Sequence, residues 1–192
     1  MSHYFETPAQ AGPTHEFTAT IFGRELTFTA APGVFSGHRL DLGTSVLLRE
    51  VDPPADGRVL DLGCGVGTIA VALAVASPQL QVTAVDVNDL AIELTAANAA
   101  RHGVAGRLVA CRPEAVPADA SFDEIWSNPP IRIGKAALHE LLLTWLPRLA
   151  PDGVAWLVVG KNLGGDSLQR WLTDQGFPTE RVASAKGFRV LK

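Results

Sequence analysis

Cysteine occurs only twice in this chain, at Cys64 and Cys111, and neither has a partner at the spacing of a metal site. A disulfide framework or a structural zinc module is therefore excluded as the basis of stability, and a reduced, cytoplasmic setting is expected. Positive charge is also scarce, since 16 Lys and Arg against 20 Asp and Glu leave a formal net charge of −4. That balance gives no global attraction to nucleic acid, so a nucleic-acid substrate would have to meet a local basic face. No apolar run approaches the roughly 20 residues that span a bilayer, and the beginning has no basic stretch leading into an apolar one, so neither a membrane nor a signal peptide is expected. His38 and His139 stand alone, so no metal is expected either.

What remains is an ordinary globular composition, 47% apolar and 19% charged over 192 residues, enough for one substantial core. Residues 1–14, with Pro8, Gly12 and Pro13, read as a flexible tail, and 15–192 as one domain. Within it, 15–50 form an N-terminal flap and helix, and 51–192 the core. Alternating apolar and polar residues over 17–22 and 25–29, about Gly23-Arg24, predict a β-hairpin flap. Val46-Leu47-Leu48 begins a helix that ends before Pro53-Pro54, with Thr44 or Asp41 as its cap.

Strand and helix patterns then alternate. Strands are expected over 58–62, 81–85, 107–111, 122–127 and 153–159, with helices over 68–76, 89–102, 136–149 and 166–175. Two closing strands near 178–184 and 187–191, joined at Ala185-Lys186, predict an antiparallel hairpin at a sheet edge. The pattern specifies an α/β fold, a doubly wound and mostly parallel seven-stranded sheet. Such sheets bind ligands beyond the carboxyl ends of their strands. Gly63, Asp86, Cys111-Arg112 and Asn128 all fall there. Trp126, Trp145, Trp156 and Trp171 occupy core-like positions, and Asn98 caps or bridges a loop.

The stretch 59–68 organises this arrangement. Val59, Leu60 and Leu62 form a strand, and glycines 63, 65 and 67 permit a tight turn into a helix whose first N–H groups are free to meet a ligand. A nicotinamide fingerprint G-x-G-x-x-G needs glycine at 68, which is Thr68 here. Asp86 ends the next strand, 86 − 67 = 19 positions beyond the last glycine, near the offset of about 20 at which an acidic residue takes a ribose. The pair points to an adenosine site.

A second motif ends the strand over 122–127. In Asn128-Pro129-Pro130-Ile131 the two prolines impose a rigid extended backbone and remove two donors. The Asn128 oxygen and neighbouring carbonyls are then acceptors facing the rim. An amino group held by two acceptors presents its lone pair to an electrophile, and alignment supplies most of the catalysis.

Leu60-Asp61-Leu62-Gly63-Cys64-Gly65-Val66-Gly67 resembles motif I of the class I S-adenosylmethionine-dependent methyltransferases, with a Rossmann-like core. Asp86 resembles their acidic second-strand residue, and Asn128-Pro129-Pro130 the [D/N]-P-P-x motif of the amino-methylating branch. More narrowly, Pro32-Gly33-Val34-Phe35-Ser36, Leu40-Asp41-Leu42-Gly43-Thr44 and the run from Ser127 to Lys135 are similar to the RsmC-like small-domain methyltransferases. The closing Lys161-Asn162-Leu163-Gly164-Gly165 and Lys186-Gly187-Phe188 fit as well. The resemblance implies S-adenosylmethionine as cofactor, with Asp61, Gly63, Cys64 and Gly65 around the methionine part. Asp86 would hold the ribose with Val87 beside it, and Arg112 or Glu114 would lie near the adenine. Thr44 and Asn128 would close the site. Asn128, Pro129, Pro130 and Ile131 would hold the target amino group, Ile131 replacing an often aromatic residue.

The expected activity is N-methylation, with guanine N2 of ribosomal RNA as the acceptor the resemblance favours. Arg39, Arg132, Lys135 and Lys161 would contact phosphates. A protein glutamine amide or a small amine is the alternative acceptor, and a cofactor-binding accessory subunit without transfer activity is the alternative class.

Overall fold

The computed structural model describes residues 12–35 and 39–192; Ser36, His38 and the first eleven residues of the expected tail lie outside them, as does the side chain of Arg132. Period-two alternation forms β1 (His15–Ile21) and β2 (Arg24–Ala30), which pair antiparallel. Ile21 faces Arg24, so the turn is Phe22-Gly23, with φ of 49° and 72°. This is one residue earlier than the sequence suggested, because Gly23 takes the second left-handed position of the two-residue turn and Arg24 opens the strand. Helix α1 (Leu42–Glu50) also starts earlier than its apolar run. Asp41 caps it, its Oδ2 accepting from the Thr44 N–H at 3.0 Å, which lets Leu42 and Gly43 enter the first turn.

The core follows as β3 (Asp56–Leu62), α2 (Thr68–Ala76), β4 (Gln79–Val85), α3 (Asp89–Arg101), β5 (Leu108–Cys111), β6 (Phe122–Ser127), α4 (Lys135–Trp145), β7 (Leu149–Gly160), α5 (Gly165–Asp174), β8 (Arg181–Ala185) and β9 (Phe188–Leu191). The helix expected over 136–149 ends at Trp145. Pro147 has no N–H with which to continue the ladder, so the chain tightens through Leu146–Arg148 and β7 begins at Leu149.

The sheet order is β5-β4-β3-β6-β7-β9-β8. Strands β3 to β7 are parallel, and β9 runs antiparallel to both β7 and β8. Lys186 and Gly187, with φ of 49° and 83°, make the closing hairpin turn. The chain winds outward from β3 to β5, then returns to place β6 on the other side of β3. That reversal is the switch point, where a crevice opens beyond the strand ends.

Side-chain alternation assigns the two faces. Val59, Trp126, Val158 and Val190 pack with α1, α2, α3 and the N-terminal hairpin. Leu60, Ile125, Leu157 and Leu191 pack on the opposite side with residues of α4 and α5. Trp126 is fully buried and donates its indole N–H to Glu124, as does the half-buried Trp156. His139 of α4 stacks on Trp171 of α5 with ring centroids 3.4 Å apart.

The hairpin expected as a flap is part of the main core. Phe17, Ile21, Leu26 and Phe28 are buried in it, and Asn98 fastens the hairpin to the sheet side. The Asn98 amide accepts from Thr29 N–H at 2.8 Å and donates to the carbonyls of Thr29 and Val66, each at 2.9 Å. A buried side chain thus replaces a strand neighbour for Thr29 while holding the glycine turn. We expect Asn98→Ala to destabilise the chain by at least about 2 kcal/mol in urea denaturation, since it leaves buried backbone groups without partners.

Candidate active site

Strand β3 ends at Leu62, and the turn that follows is built from left-handed glycines, Gly63, Gly65 and Gly67, with φ of 79°, 56° and 80°. The N–H groups of Gly63 and Cys64 both bond the Val85 carbonyl at the end of β4, at 2.9 and 3.0 Å. From the other side α3 grips the turn, Thr95 donating its hydroxyl to the Gly65 carbonyl at 3.1 Å. Gly67 is needed here, because a Cβ would stand 2.7 Å from the Thr95 methyl.

Gly67 has no side chain with which to cap α2, and Asp61 does so from inside the sheet. Its Oδ2 accepts from the Ala70 N–H in the first turn of α2, at 3.0 Å. Asp61 is buried, and its Oδ1 and the Thr68 hydroxyl are the polar atoms of this region without a partner among the described residues. Burial pushes its carboxyl up to about 7, the Ala70 bond opposes this, and the charge of Asp86 adds to it. The Cys64 thiol is raised too, by burial and then by Asp61 and Asp86, which makes it a neutral packing group.

Asp86 directly follows β4, half-buried. Its carboxylate takes the Gly65 N–H at 2.9 Å and the Asn88 N–H at 3.0 Å, so it ties the glycine turn to the start of α3. Burial raises its carboxyl and these backbone bonds pull it back. Val87 beside it is exposed. Arg112, just past β5, is exposed and meets Asp89 in a two-bond ion pair, both at 2.7 Å. Asn88, fully buried, caps α3 and donates to the Gly33 carbonyl at 3.0 Å, docking the Pro32-Gly33 loop against the site.

Strand β6 pairs with β3 and ends beside it, and the Ser127 hydroxyl donates to the Leu62 carbonyl at 2.6 Å. The next residue, Asn128, therefore emerges alongside the glycine turn. A Cβ built on Gly63 would meet only Pro130, at 3.9 Å, so the two motifs lie side by side. The Asn128 amide nitrogen donates to Asp41 Oδ2 at 2.8 Å and to the Thr44 hydroxyl at 3.0 Å. A carboxylate can only accept, so this end of the amide is the NH2, and its oxygen is the end left toward the rim. The Pro129 and Pro130 carbonyls, expected as free acceptors, already accept from the Ile131 and Ile133 N–H groups. Each proline removes a donor, and the backbone folds into a short tight turn instead of staying extended. Ile131 packs against the cluster of Leu138, Leu142 and Leu157. Thr44 is buried, with its hydroxyl turned to Asn128.

Asn88 caps α3, as Asn88-Asp89 could be expected to from sequence, whereas Ser127, Thr95, the contact of Asn88 with the Gly33 carbonyl and the orienting contact of Asp41 escaped it. Thr95 and Asn98, three apart inside an apolar helix pattern, were the available signal for one polar face turned inward. Lys135 opens α4 and Lys161 follows β7, both exposed, as is Arg39 ahead of α1. Among the described residues no group of acidic, His or Cys side chains has a metal-binding arrangement, and no helix is long and apolar enough to cross a membrane.

The fold is similar to that of the 16S rRNA N2 G1207 methyltransferase RsmC of T. thermophilus, solved with AdoMet and guanosine. The two superpose with a TM-score of 0.82 at 26% identity, over 96% of this chain and 51% of that one. This protein is an S-adenosylmethionine-dependent methyltransferase with an α/β fold of class I. It matches the family model for the methyltransferase small domain over residues 25–192 and belongs to that family. It is 29% identical to the uncharacterised protein YbxB of Bacillus subtilis, over 99% of this chain and 96% of YbxB. It is 42% identical to ribosomal RNA small subunit methyltransferase C of Klebsiella pneumoniae, over 57% of this chain and 32% of that protein. The chain thus spans nearly all of YbxB and about half or less of these ribosomal RNA enzymes.

The buried Asp61 sets a pH dependence. Its folded value, about 7, lies above the ordinary 3.8, so its contribution to stability is greatest below about pH 4, declines as pH rises toward 7 and is flat above. The whole span corresponds to at most about 4 kcal/mol. In thermal unfolding at about pH 5 and 8, Asp61→Asn should show a smaller loss of stability at the higher pH than the unsubstituted chain.

Proposed function

We propose that this methyltransferase acts on an exocyclic amino group of a nucleobase, guanine N2 of small-subunit ribosomal RNA. The observation that carries this reading is the Asn128 amide, anchored through its nitrogen by Asp41 and Thr44, beside the turn in which Pro130 neighbours Gly63, so that its oxygen is the end left to accept from a ligand. The similarity to an rRNA N2 enzyme bound to guanosine supports it. Residues of the glycine turn suit the cofactor. Gly63 carries no side chain to intrude beside Pro130, and the Asp61 Oδ1 and Thr68 hydroxyl on either flank of the turn are buried without a partner among the described residues.

In this reading Asp61, Gly63, Cys64, Gly65 and Thr44 surround the methionine part, Asp86 accepts from the ribose hydroxyls, and Val87 and the Arg112–Asp89 pair border the adenine. S-adenosylmethionine, when bound, supplies an electrophilic methyl carbon on a cationic sulfur. Asn128 Oδ1 accepts one hydrogen of the substrate amino group and so directs the nitrogen lone pair. The nitrogen so directed would take the methyl carbon as that carbon's bond to sulfur is given up, and the surplus proton would pass to water. Pro129 and Pro130 keep the acceptor from swinging, and Ile131 anchors their turn in the core. Arg39, Lys135 and Lys161 supply the local basic face that an acidic protein needs to hold phosphates.

The direct test is transfer of tritium from labelled cofactor to small-subunit ribosomal RNA transcribed without modifications. Label on guanine N2 is expected; label appearing in protein and absent from RNA would replace the acceptor. Asn128→Ala should lower kcat about 10- to 100-fold with little change in S-adenosylhomocysteine affinity by calorimetry, as for one lost alignment bond. Asp86→Ala should instead weaken that affinity by about 1–3 kcal/mol. Poor cofactor binding with full turnover at saturation in Asn128→Ala would overturn these roles.

A further inference from the structure

We propose that Asp41 is a positioning residue of the reaction, which holds the Asn128 amide in the one orientation that can accept the substrate's amino hydrogen. The inference rests on Asn128 as that acceptor. A primary amide has two ends of nearly equal size, and turning it over about its last torsion exchanges an acceptor for a donor. A donor at the rim would face the hydrogens of the substrate amine and repel them. Nothing in Asn128 itself selects the productive end.

Asp41 makes the selection. Its Oδ2 lies 2.8 Å from Asn128 Nδ2 and also takes the Thr44 N–H at 3.0 Å. If the amide turned over, its oxygen would stand against a carboxylate oxygen at the same separation. The Thr44 hydroxyl, 3.0 Å from Nδ2, can accommodate either end and gives geometry without choice. The charged acceptor also polarises the amide and makes its far oxygen a better acceptor. Asp41 is itself held, because it caps α1, whose Val46 and Leu47 are fully buried, and Gly43 is so close to the Phe188 ring that a Cβ would stand 2.9 Å from it.

One oxygen of Asp41 makes both bonds, which allows the cap and the orientation to be separated. Asp41→Ser keeps a cap but is too short to reach Asn128. Asp41→Asn presents one oxygen to both donors and removes only the charge. We expect Asp41→Ser to keep its melting temperature within about 2–4 °C, to bind S-adenosylhomocysteine normally, and to lose kcat about 10-fold or more in RNA methylation. Asp41→Asn should stay within about 3-fold of the unsubstituted enzyme, as expected when only charge assistance is lost. Normal turnover in Asp41→Ser, or a loss matched by weaker cofactor binding, would overturn the proposal.

If the unsubstituted enzyme methylates no RNA, the substrate reading fails and the orientation is decided by a second measurement. With 15N-asparagine labelling, the Asn128 side-chain NH2 signals, identified by their absence in Asn128→Ala, should be well resolved and shifted downfield by the carboxylate. They should move toward free-amide values in Asp41→Ser. Unchanged Asn128 signals in that variant would overturn Asp41's role whatever the acceptor is.

Discussion

The parallel pairing of β3 with β6 is the constraint on which the site depends. Both strands end at the same edge, so the two turns that leave them emerge side by side, and the Ser127 hydroxyl on the Leu62 carbonyl closes the gap at their tips. Sixty residues of sequence separate the glycine turn from Asn-Pro-Pro, yet a side chain on Gly63 would touch Pro130 first. This juxtaposition exists only because the chain winds out to β5 and then returns to the other flank of β3. Any register shift between the two strands would move one motif away from the other.

The pieces around that edge are secured by buried polar side chains rather than by more apolar packing. Asp61 caps α2 from within the sheet, Thr95 and Asn98 hold carbonyls of the glycine turn, Asn88 docks the Pro32-Gly33 loop, and Asp41 engages Asn128. A tight glycine turn has many backbone groups and few side chains, so its unpaired N–H and C=O groups must be met from neighbouring elements. Helix α3 meets the Gly65 and Val66 carbonyls, the end of β4 meets the Gly63, Cys64 and Gly65 N–H groups, and α3 links the N-terminal hairpin to the glycine turn through Asn98. The hairpin thereby becomes a brace for the site. Buried polar groups of this kind are high-stakes, because each one left without its partner costs more than the bond itself contributes.

The arrangement also explains why Asp86 has a double character. Its carboxylate is satisfied in advance by Gly65 and Asn88, which places two oxygens at the end of β4 with lone pairs remaining for a ligand. Holding the turn and presenting an acceptor are the same act. Asp41 follows that logic on the other side of the crevice, where one oxygen caps a helix and orients an amide.

Element order, the parallel sheet and the two motifs were determined by the sequence alone, because period-two and helical apolar patterns, glycines and prolines act locally on the backbone. Gly63, Asp86, Arg112 and Asn128 could be placed at strand ends for the same reason. Boundaries that hinge on a single side chain were less legible: Asp41 extends α1 backward, and Pro147 ends α4 early. Only the tertiary structure decided that the hairpin belongs to the core, that Asp61 caps α2, and which end of Asn128 faces the crevice. Those outcomes depend on partners 9 to 87 positions apart in the chain, and no local pattern records which distant donor or acceptor a folded sheet will bring within hydrogen-bond reach.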